Sequence, residues 1–454
     1  MKKLLTIAIA LVMVCSAVFA LVACNSTSKT AETVAEASKM TLEELKAASK
    51  AEMEASNDTF KVIGLTSVLA KTLTAFQKEY PWVTPDNSYC KNDYKDNDLL
   101  TALQTAKKSY VADYALVQDV RSMANLDGIM IHNYVPSDYK DMGLSDKDIY
   151  PLKGIYFNKL FWTNSNFENV TGKKLYNIWQ LAGTSADKDH LDKVSFQPAT
   201  TEQINMSFLL SAEAPENQKR IEDAYEHYYG KKWSKEGTDY TTAGQHWVTE
   251  FVKNVSRWHS SDGTAMKETQ LKDDWKAGYV YYGAFAKMKD AVGKYYTIAD
   301  QDKDPILKDL LKEYTEKDKD GKETTKTGIN AMDTVKWDWE IDGFNGFMYA
   351  MCSQIVNNAK HPYTACLYAR FLVTLTAYSG SIYNNSLPAQ DGSVGTTKVN
   401  QYGYYFPGSN DIVYAMNDWT RDVHIAAELM EDYSYLKTVK TAEVNRIKAL
   451  IGQN

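Results

Sequence analysis

The sequence predicts an α/β fold in which a largely parallel sheet is crossed by helices. Two observations carry that prediction. In the first third of the chain, segments with strand character and segments with helical apolar stripes follow in the order strand, helix, helix, strand, which is how parallel strands with helical crossovers are written. At 454 residues the chain can bury a large core in two or three domains. It also shows no internal repeat that would make it a solenoid.

Taken in order, the chain opens with Lys2 and Lys3 and a nearly unbroken apolar run from Leu4 to Ala23. A charged start, an apolar middle and small residues before a cut are the parts of a secretory signal. Leu21-Val22-Ala23-Cys24 resembles the bacterial lipobox, with Val22 where that pattern prefers Ala or Ser. The resemblance implies a signal peptide over 1–23 and a lipid on Cys24 that anchors the mature chain to a membrane. About 20 apolar residues could also span a bilayer, but no stop-transfer charge follows; Asn25-Ser26-Thr27-Ser28 does. Residues 24–40, rich in Ser, Thr, Ala, Glu and Lys, read as a flexible tether.

The signal carries two lysines and no acids, so its removal leaves 49 basic against 58 acidic residues, a balance of −9. No run of Lys or Arg offers a surface to nucleic acid or anionic lipid. Thirty-one Tyr and ten Trp supply flat faces with polar edges, suited to core filling and to sugars or other polar organics. Of five cysteines, Cys15 leaves with the signal and Cys24 takes the lipid. Cys90, Cys352 and Cys366 have no metal-ligand spacing and fit either one disulfide plus a thiol or three buried thiols.

Thr41-Leu42-Glu43-Glu44 is a capping box opening a helix to about Ala55. Phe60–Leu65 follows as a strand. Leu69, Leu73, Phe76 and Tyr80 form one apolar helical stripe ended by Pro81, and Leu99, Leu103, Ala106 and Tyr110 form a second. Val111–Gln118, Ile129–His132, Gly154–Asn158, Val194–Phe196 and Tyr279–Tyr282 read as strands. Trp247, Phe251, Val255 and Trp258 mark a helix. Asp304 caps another, with Pro305 in its first turn and Leu307, Leu310, Leu311 and Tyr314 on its apolar side. Residues 317–328 read as a charged loop; Asp318, Asp320 and Gly321 match the front of a calcium loop, but Thr327 stands where its closing Glu belongs. Trp337–Ile341 alternates as a strand. His361-Pro362, 423–430 and 444–451 begin or form the closing helices.

Six weak motifs stand in a collinear order that resembles the extracellular solute-binding proteins of bacterial ABC importers, nearest to the ferric-iron, thiamine and phosphonate binders. They are the Leu42, Leu45, Ala48 or Ala51, Glu52 helix; Ala75–Pro81; Ala112–Asp119; Tyr156-Phe157-Asn158-Lys159, with Phe157 inserted in the usual pair; Lys193–Pro198, preceded by Trp179-Gln180-Leu181; and His361-Pro362 with Phe371-Leu372. The resemblance spans about Leu42 to Ser381. It implies a type 2, Venus-flytrap fold of periplasmic-binding-protein kind, with two α/β lobes and the ligand cleft between them. Lobe one is expected over 41–150 plus 335–379, and lobe two over 151–334 plus 380–454. The implied activity is capture of a small solute for a membrane ABC permease, by a monomer with no cofactor and no nucleic-acid partner.

In open parallel sheets ligands bind beyond the carboxyl ends of strands. That rule selects Thr66 and Ser67, Gln118 and Asp119, Tyr281 and Tyr282, Trp339, Asp342, Phe344 and Asn345; Tyr383, after a Ser-Gly-Ser turn, could close over the cleft. Gln118 and Asp119 could equally cap the next helix, and one of Tyr281 and Tyr282 must face away from the other. Ferric-iron members use adjacent tyrosines. This chain offers Tyr228-Tyr229, Tyr281-Tyr282, Tyr295-Tyr296 and Tyr404-Tyr405, none at the family position, so an aromatic cleft with Asp, Asn and Gln edges suits a sugar or other polar organic. A lipid-anchored glycoside hydrolase is the rival of another class, since 58 acids always supply pairs; no Gly-x-Ser-x-Gly or His-Glu-x-x-His is present.

Overall fold

The computed structural model describes residues 28–270, 274–287, 294–297, 301, 303–317, 319–337, 340–378, 383–384, 398–400, 412–414 and 420–452. The signal segment, Cys24 and Trp339 lie outside them. Eight strands form the spine: β1 Phe60–Ile63, β2 Ser88–Lys91, β3 Tyr114–Val117, β4 Lys153–Asn164, β5 Val194–Phe196, β6 Val255–Trp258, β7 Val280–Ala284 and β8 Gly346–Val356. Their hydrogen-bonded order is β2-β1-β3-β8-β4-β7-β5-β6.

That order contains the same arrangement twice. β1 pairs parallel with β2 and β3, and β8 closes antiparallel on β3. Likewise β5 pairs parallel with β6 and β7, and β4 closes antiparallel on β7. The two half-sheets share β4 and β8, which run antiparallel from Gly346 opposite Leu160 to Met351 opposite Ile155. Each long strand therefore serves one half-sheet at one end and the other at its opposite end. This is the two-lobed fold of periplasmic binding proteins.

Gly346 makes the shared pairing possible. Its φ is 140°, outside the range L side chains favour. A Cβ there would overlap the Lys159 carbonyl and stand 2.9 Å from Leu160 Cα. The first lobe is tied by a buried carboxylate. Asp113, just before β3, accepts from the backbone N–H groups of Lys61 (2.8 Å), Lys360 (2.7 Å) and His361 (2.8 Å) and from Tyr110 Oη (2.9 Å). Glu52 accepts from Tyr363 N and Thr364 N, at 3.2 and 2.8 Å, and so satisfies the open start of the helix Pro362–Phe371.

The capping box is formed: Thr41 Oγ1 accepts from Glu44 N and the Glu44 carboxylate accepts from Thr41 N, opening the helix Leu42–Ala55. Leu69, Leu73 and Phe76 are buried along Val68–Glu79. Cys90, Cys352 and Cys366 are free thiols, and burial pushes Cys90 up to about 12 and the other two upward as well.

Several expectations need correction. The tether expected over 24–40 contains a helix, Lys29–Ala37, whose Thr30, Thr33, Val34 and Ala37 are buried; Tyr363 Oη donates to its Glu36. A stripe of Thr, Val and Ala at helical spacing packs well while leaving the composition polar. The helix begun at Asp304 ends at Asp309, and Leu311–Lys317 pairs with Glu323–Asn330 as a hairpin, so much of the charged loop read over 317–328 is strand. The helix expected to carry Val255 and Trp258 stops at Asn254, and those residues form β6. Of the strand read at Trp337–Ile341, the described residues Trp337, Glu340 and Ile341 are in no strand; just before them Val335–Lys336 pairs with the far end of β4. The chain therefore recrosses along β8 and not from residue 335. The closing helix expected over 423–430 is Arg421–Ala427, after which Leu429–Met430 pairs with β8.

Gly346→Ala is expected to cost about 3 kcal/mol or more, because both backbone strain and overlap with β4 must be absorbed. Urea denaturation measures it; an unchanged midpoint would show that the shared strands do not depend on this close approach.

Candidate functional site

The two half-sheets aim at the same place. At the carboxyl end of β3, Val117 lies opposite Cys352 of β8. At the carboxyl end of β7, Ala284 lies opposite Lys159 of β4. Both sets of parallel strands therefore end on the shared middle of β4 and β8, where loops and helix starts from each lobe meet. Ligands of open α/β sheets bind beyond such strand ends.

The first wall is built from the exits of β1, β2 and β3. Thr66 is half-buried and Ser67 exposed; Thr66 Oγ1 accepts from Val68 N at 3.3 Å at the start of the helix Val68–Glu79. Gln118 is half-buried. Asp119 is buried and caps the short helix Val120–Met123, accepting from Ser122 N at 3.0 Å and from Ser122 Oγ at 2.5 Å. Asp96, in the first turn of Asp96–Gln104, is half-buried. Burial, then the charges of Glu202 and Asp119, push its carboxyl up to about 7.

The second wall comes from the exits of β5, β6 and β7. Gln197 leaves β5 and is 7% exposed; its Nε2 donates to Ser260 O at 3.4 Å while its Oε1 accepts nothing. Glu202 stands before the helix Gln203–Ala212 and is half-buried. His259, 4% exposed, leaves β6 with Nδ1 3.0 Å from Ser195 Oγ and Nε2 unsatisfied; burial lowers its pKa to about 4. Asp262 opens the helix Asp262–Thr269, and Ser261 caps it. From β4, Lys159 is 1% exposed and places Nζ 3.3 Å from Asp262 Oδ1 without hydrogen-bonding geometry. Arg121 Nη2 donates to Gln203 Oε1 at 3.3 Å, so the two walls touch beside Asp119 and Glu202.

The sequence-predicted residues divide into two groups. Thr66, Ser67, Gln118 and Asp119 stand together on the first wall. Tyr281 and Tyr282 are buried inside β7, with the Tyr281 hydroxyl donating to Asp274 at 2.7 Å and the Tyr282 ring 4.6 Å from Phe208. Phe344 is core, 4.9 Å from Trp247. Asn345 is buried, with its N–H on Ala427 O at 2.8 Å. Asp342 forms an isolated bridge with Asn177, and its carboxylate lies 3.3 Å from His227 Nδ1. Tyr383 belongs to a short strand paired with Lys398–Asn400. Asp96, Arg121, Lys159, Gln197, Glu202, His259 and Asp262 were not selected from sequence. The strand-exit rule applied to β5 and β6 finds Gln197, Glu202, His259 and Asp262; Asp96 needed β2, which carries no strong strand signal.

Ser195 and His259 form the kind of pair a hydrolase would use. Ser195 is fully buried within β5, however, so its hydroxyl has no approach for a substrate carbonyl. Among the described residues no three of His, Cys, Asp and Glu converge as a metal site, and no helix is long and apolar enough to cross a membrane.

An acid whose folded pKa lies above its unfolded value stabilises the fold while protonated. For Asp96 that contribution is complete below its ordinary 3.8 and is lost as pH rises towards 7. Asp96→Asn is expected to match the parent in acid and to exceed its stability at neutral and alkaline pH. Denaturation midpoints across that range test it; a constant difference would show that the fold does not raise the Asp96 carboxyl.

No protein-family model matches the sequence, and no curated protein matches it. Solved structures resemble it in layout. FutA (IdiA) of Trichodesmium, in complex with iron and citrate, is 10% identical, covering 87% of this chain and 100% of its own, at a TM-score of 0.47. Ferric iron-binding protein A of Mannheimia haemolytica, in an open conformation, is 11% identical over 87% and 98%, at 0.48. Iron-bound HitA of Pseudomonas aeruginosa is 9% identical over 87% and 99%, at 0.44. At such identities a likeness concerns the fold alone, and at such scores it adds no weight to the strand order.

Proposed function

We propose that this chain is the solute-binding component of an ABC importer. It is held outside the cytoplasm as a monomer by a lipid on Cys24, and it captures a small polar organic solute between its lobes. The observation that carries the reading is the convergence of both half-sheets' carboxyl ends on β4 and β8, with polar side chains from each wall at the junction. Contacts to solute are assigned to Thr66, Ser67, Gln118 and Asp119 of one wall and to Gln197, Glu202, Gln203 and His259 of the other. With the lobes joined through β4 and β8, a solute that touches both walls favours the closed arrangement, which a membrane permease can recognise. No covalent bond of the solute changes. Ferric iron, named with the structural neighbours, is the alternative cargo.

A thermal-shift screen over sugars, amines, amino acids, vitamins, phosphonates and ferric citrate tests the proposal. A cargo at a hundredfold excess over its Kd is expected to add about 2.7 kcal/mol of stability and to reduce the radius of gyration in small-angle scattering. Turnover of a screened glycan, or stabilisation without compaction, would replace solute capture by another activity.

A further inference from the structure

The chain joins the first lobe earlier than its composition suggests. The helix Lys29–Ala37 buries Thr30, Thr33, Val34 and Ala37, and its Glu36 accepts from Tyr363 Oη at 2.9 Å. The residues after it are held as well: Ser38 Oγ accepts from Val135 N at 3.3 Å, and Met40 O accepts from Ser137 Oγ at 2.6 Å. At its start, Ser28 Oγ accepts from Ala31 N at 3.2 Å and lies 3.3 Å from His132 Nε2. Cys24 stands four residues before Ser28. Four residues reach at most about 14 Å, whereas a tether running to Met40 would reach about 60 Å. A lipid on Cys24 therefore keeps this lobe close to the bilayer that takes the lipid.

The place where the chain meets the lobe decides which face that is. His132 belongs to the two-residue strand Ile131–His132, paired with β8 at Ile355 and Val356. Ile355 lies opposite Tyr114 at the amino end of β3, and the cleft lies at the carboxyl end. His132 Nε2 is also 3.2 Å from Asn357 Oδ1, and Asn357 N donates to Met130 O at 2.8 Å. Ile129, beside Met130, is 49% exposed. Asp127 of the same turn accepts from the hydroxyl of Tyr150 at 3.3 Å, and Tyr150 is 51% exposed. The Lys437 ammonium lies 5.7 Å from the Tyr150 ring centre. An aliphatic side chain, an amphipathic ring and a lysine suit the headgroup level of a bilayer. Singly, exposed apolar residues carry no message; these stand together beside the start of a four-residue leash.

We propose that the first lobe rests on the phospholipid bilayer through the face carrying Ile129, Tyr150 and Lys437. The docked helix Lys29–Ala37 and the short leash hold it there, and the second lobe is the one left to move. The inference rests on the lipid-anchor part of the proposed function and adds which lobe, and which of its faces, the membrane meets.

Photocrosslinking on the full-length lipidated protein tests it, after reconstitution into vesicles of phosphatidylethanolamine and phosphatidylglycerol. p-Benzoylphenylalanine is placed in turn at Ile129, at Tyr150, at Tyr89 of β2 and at Tyr176 of the second lobe, all of them exposed. Lipid adducts are expected several-fold more often from positions 129 and 150 than from 89 and 176. A long Gly-Ser insertion after Asn25 lengthens the leash without touching a described residue, and it is expected to abolish that preference. Equal yields from the four positions, or higher yields from 89 or 176, overturn the seating. A preference that survives the insertion overturns the part given to the leash. The mass of the amino-terminal peptide reports the lipid separately. An unlipidated chain that washes off membranes overturns anchor and seating together, whereas a lipidated chain with no preference overturns the seating alone.

Discussion

The structure hangs on two antiparallel strands that belong to both lobes at once. β4 supplies the closing strand of the second half-sheet and β8 that of the first, so neither lobe has a complete sheet without a strand that continues into the other. This couples the stability of each lobe to the integrity of the crossing, and it makes the crossing the natural place for bending. The backbones meet closely enough at Gly346 that a side chain there would strike β4. A single residue without a Cβ thus sets the pairing from which both strand exits, and hence both cleft walls, take their positions.

Buried polar groups fall into two populations. Some are well provided for: Asp113 gathers three backbone N–H groups and a phenol, and Arg220 donates to the carbonyls of Gly343 and Glu428 at 2.6 and 2.9 Å. His424 meets Glu428 in the interior beside Asn158 of β4, fastening the C-terminal segment against the crossing strands. Other buried groups are left open, in the scaffold as well as around the cleft: Asn158 Oδ1, Glu428 Oε2, Tyr282 Oη and Trp275 Nε1 lack a hydrogen bond, as do Lys159 Nζ and His259 Nε2. Polar networks inside proteins stabilise when complete and penalise when incomplete, so these atoms mark where the interior gives up stability.

The legible parts of the fold were those with local periodicity. The stripe of Leu69, Leu73 and Phe76 and the box at Thr41 and Glu44 are set by neighbours in sequence, and both stand as read. β8 was invisible because Gly346–Val356 is buried on both faces, so it shows no alternation and no stripe. β6 was absorbed into the preceding helix because Val255 and Trp258 continue the spacing of Trp247 and Phe251. Strand exits selected Thr66, Ser67, Gln118 and Asp119, since β1 and β3 were read as strands. Lys159 could not be found this way: it lies in mid-strand and reaches the cleft only because β4 crosses between lobes, a property of topology and not of local pattern.

The thiols carry one more consequence. Cys352 lies in β8 and Cys366 in the helix packed behind the first lobe, each sealed from solvent and each unbridged. Burial raises the pKa of both, so neither offers the thiolate that an oxidant attacks while the lobe is packed.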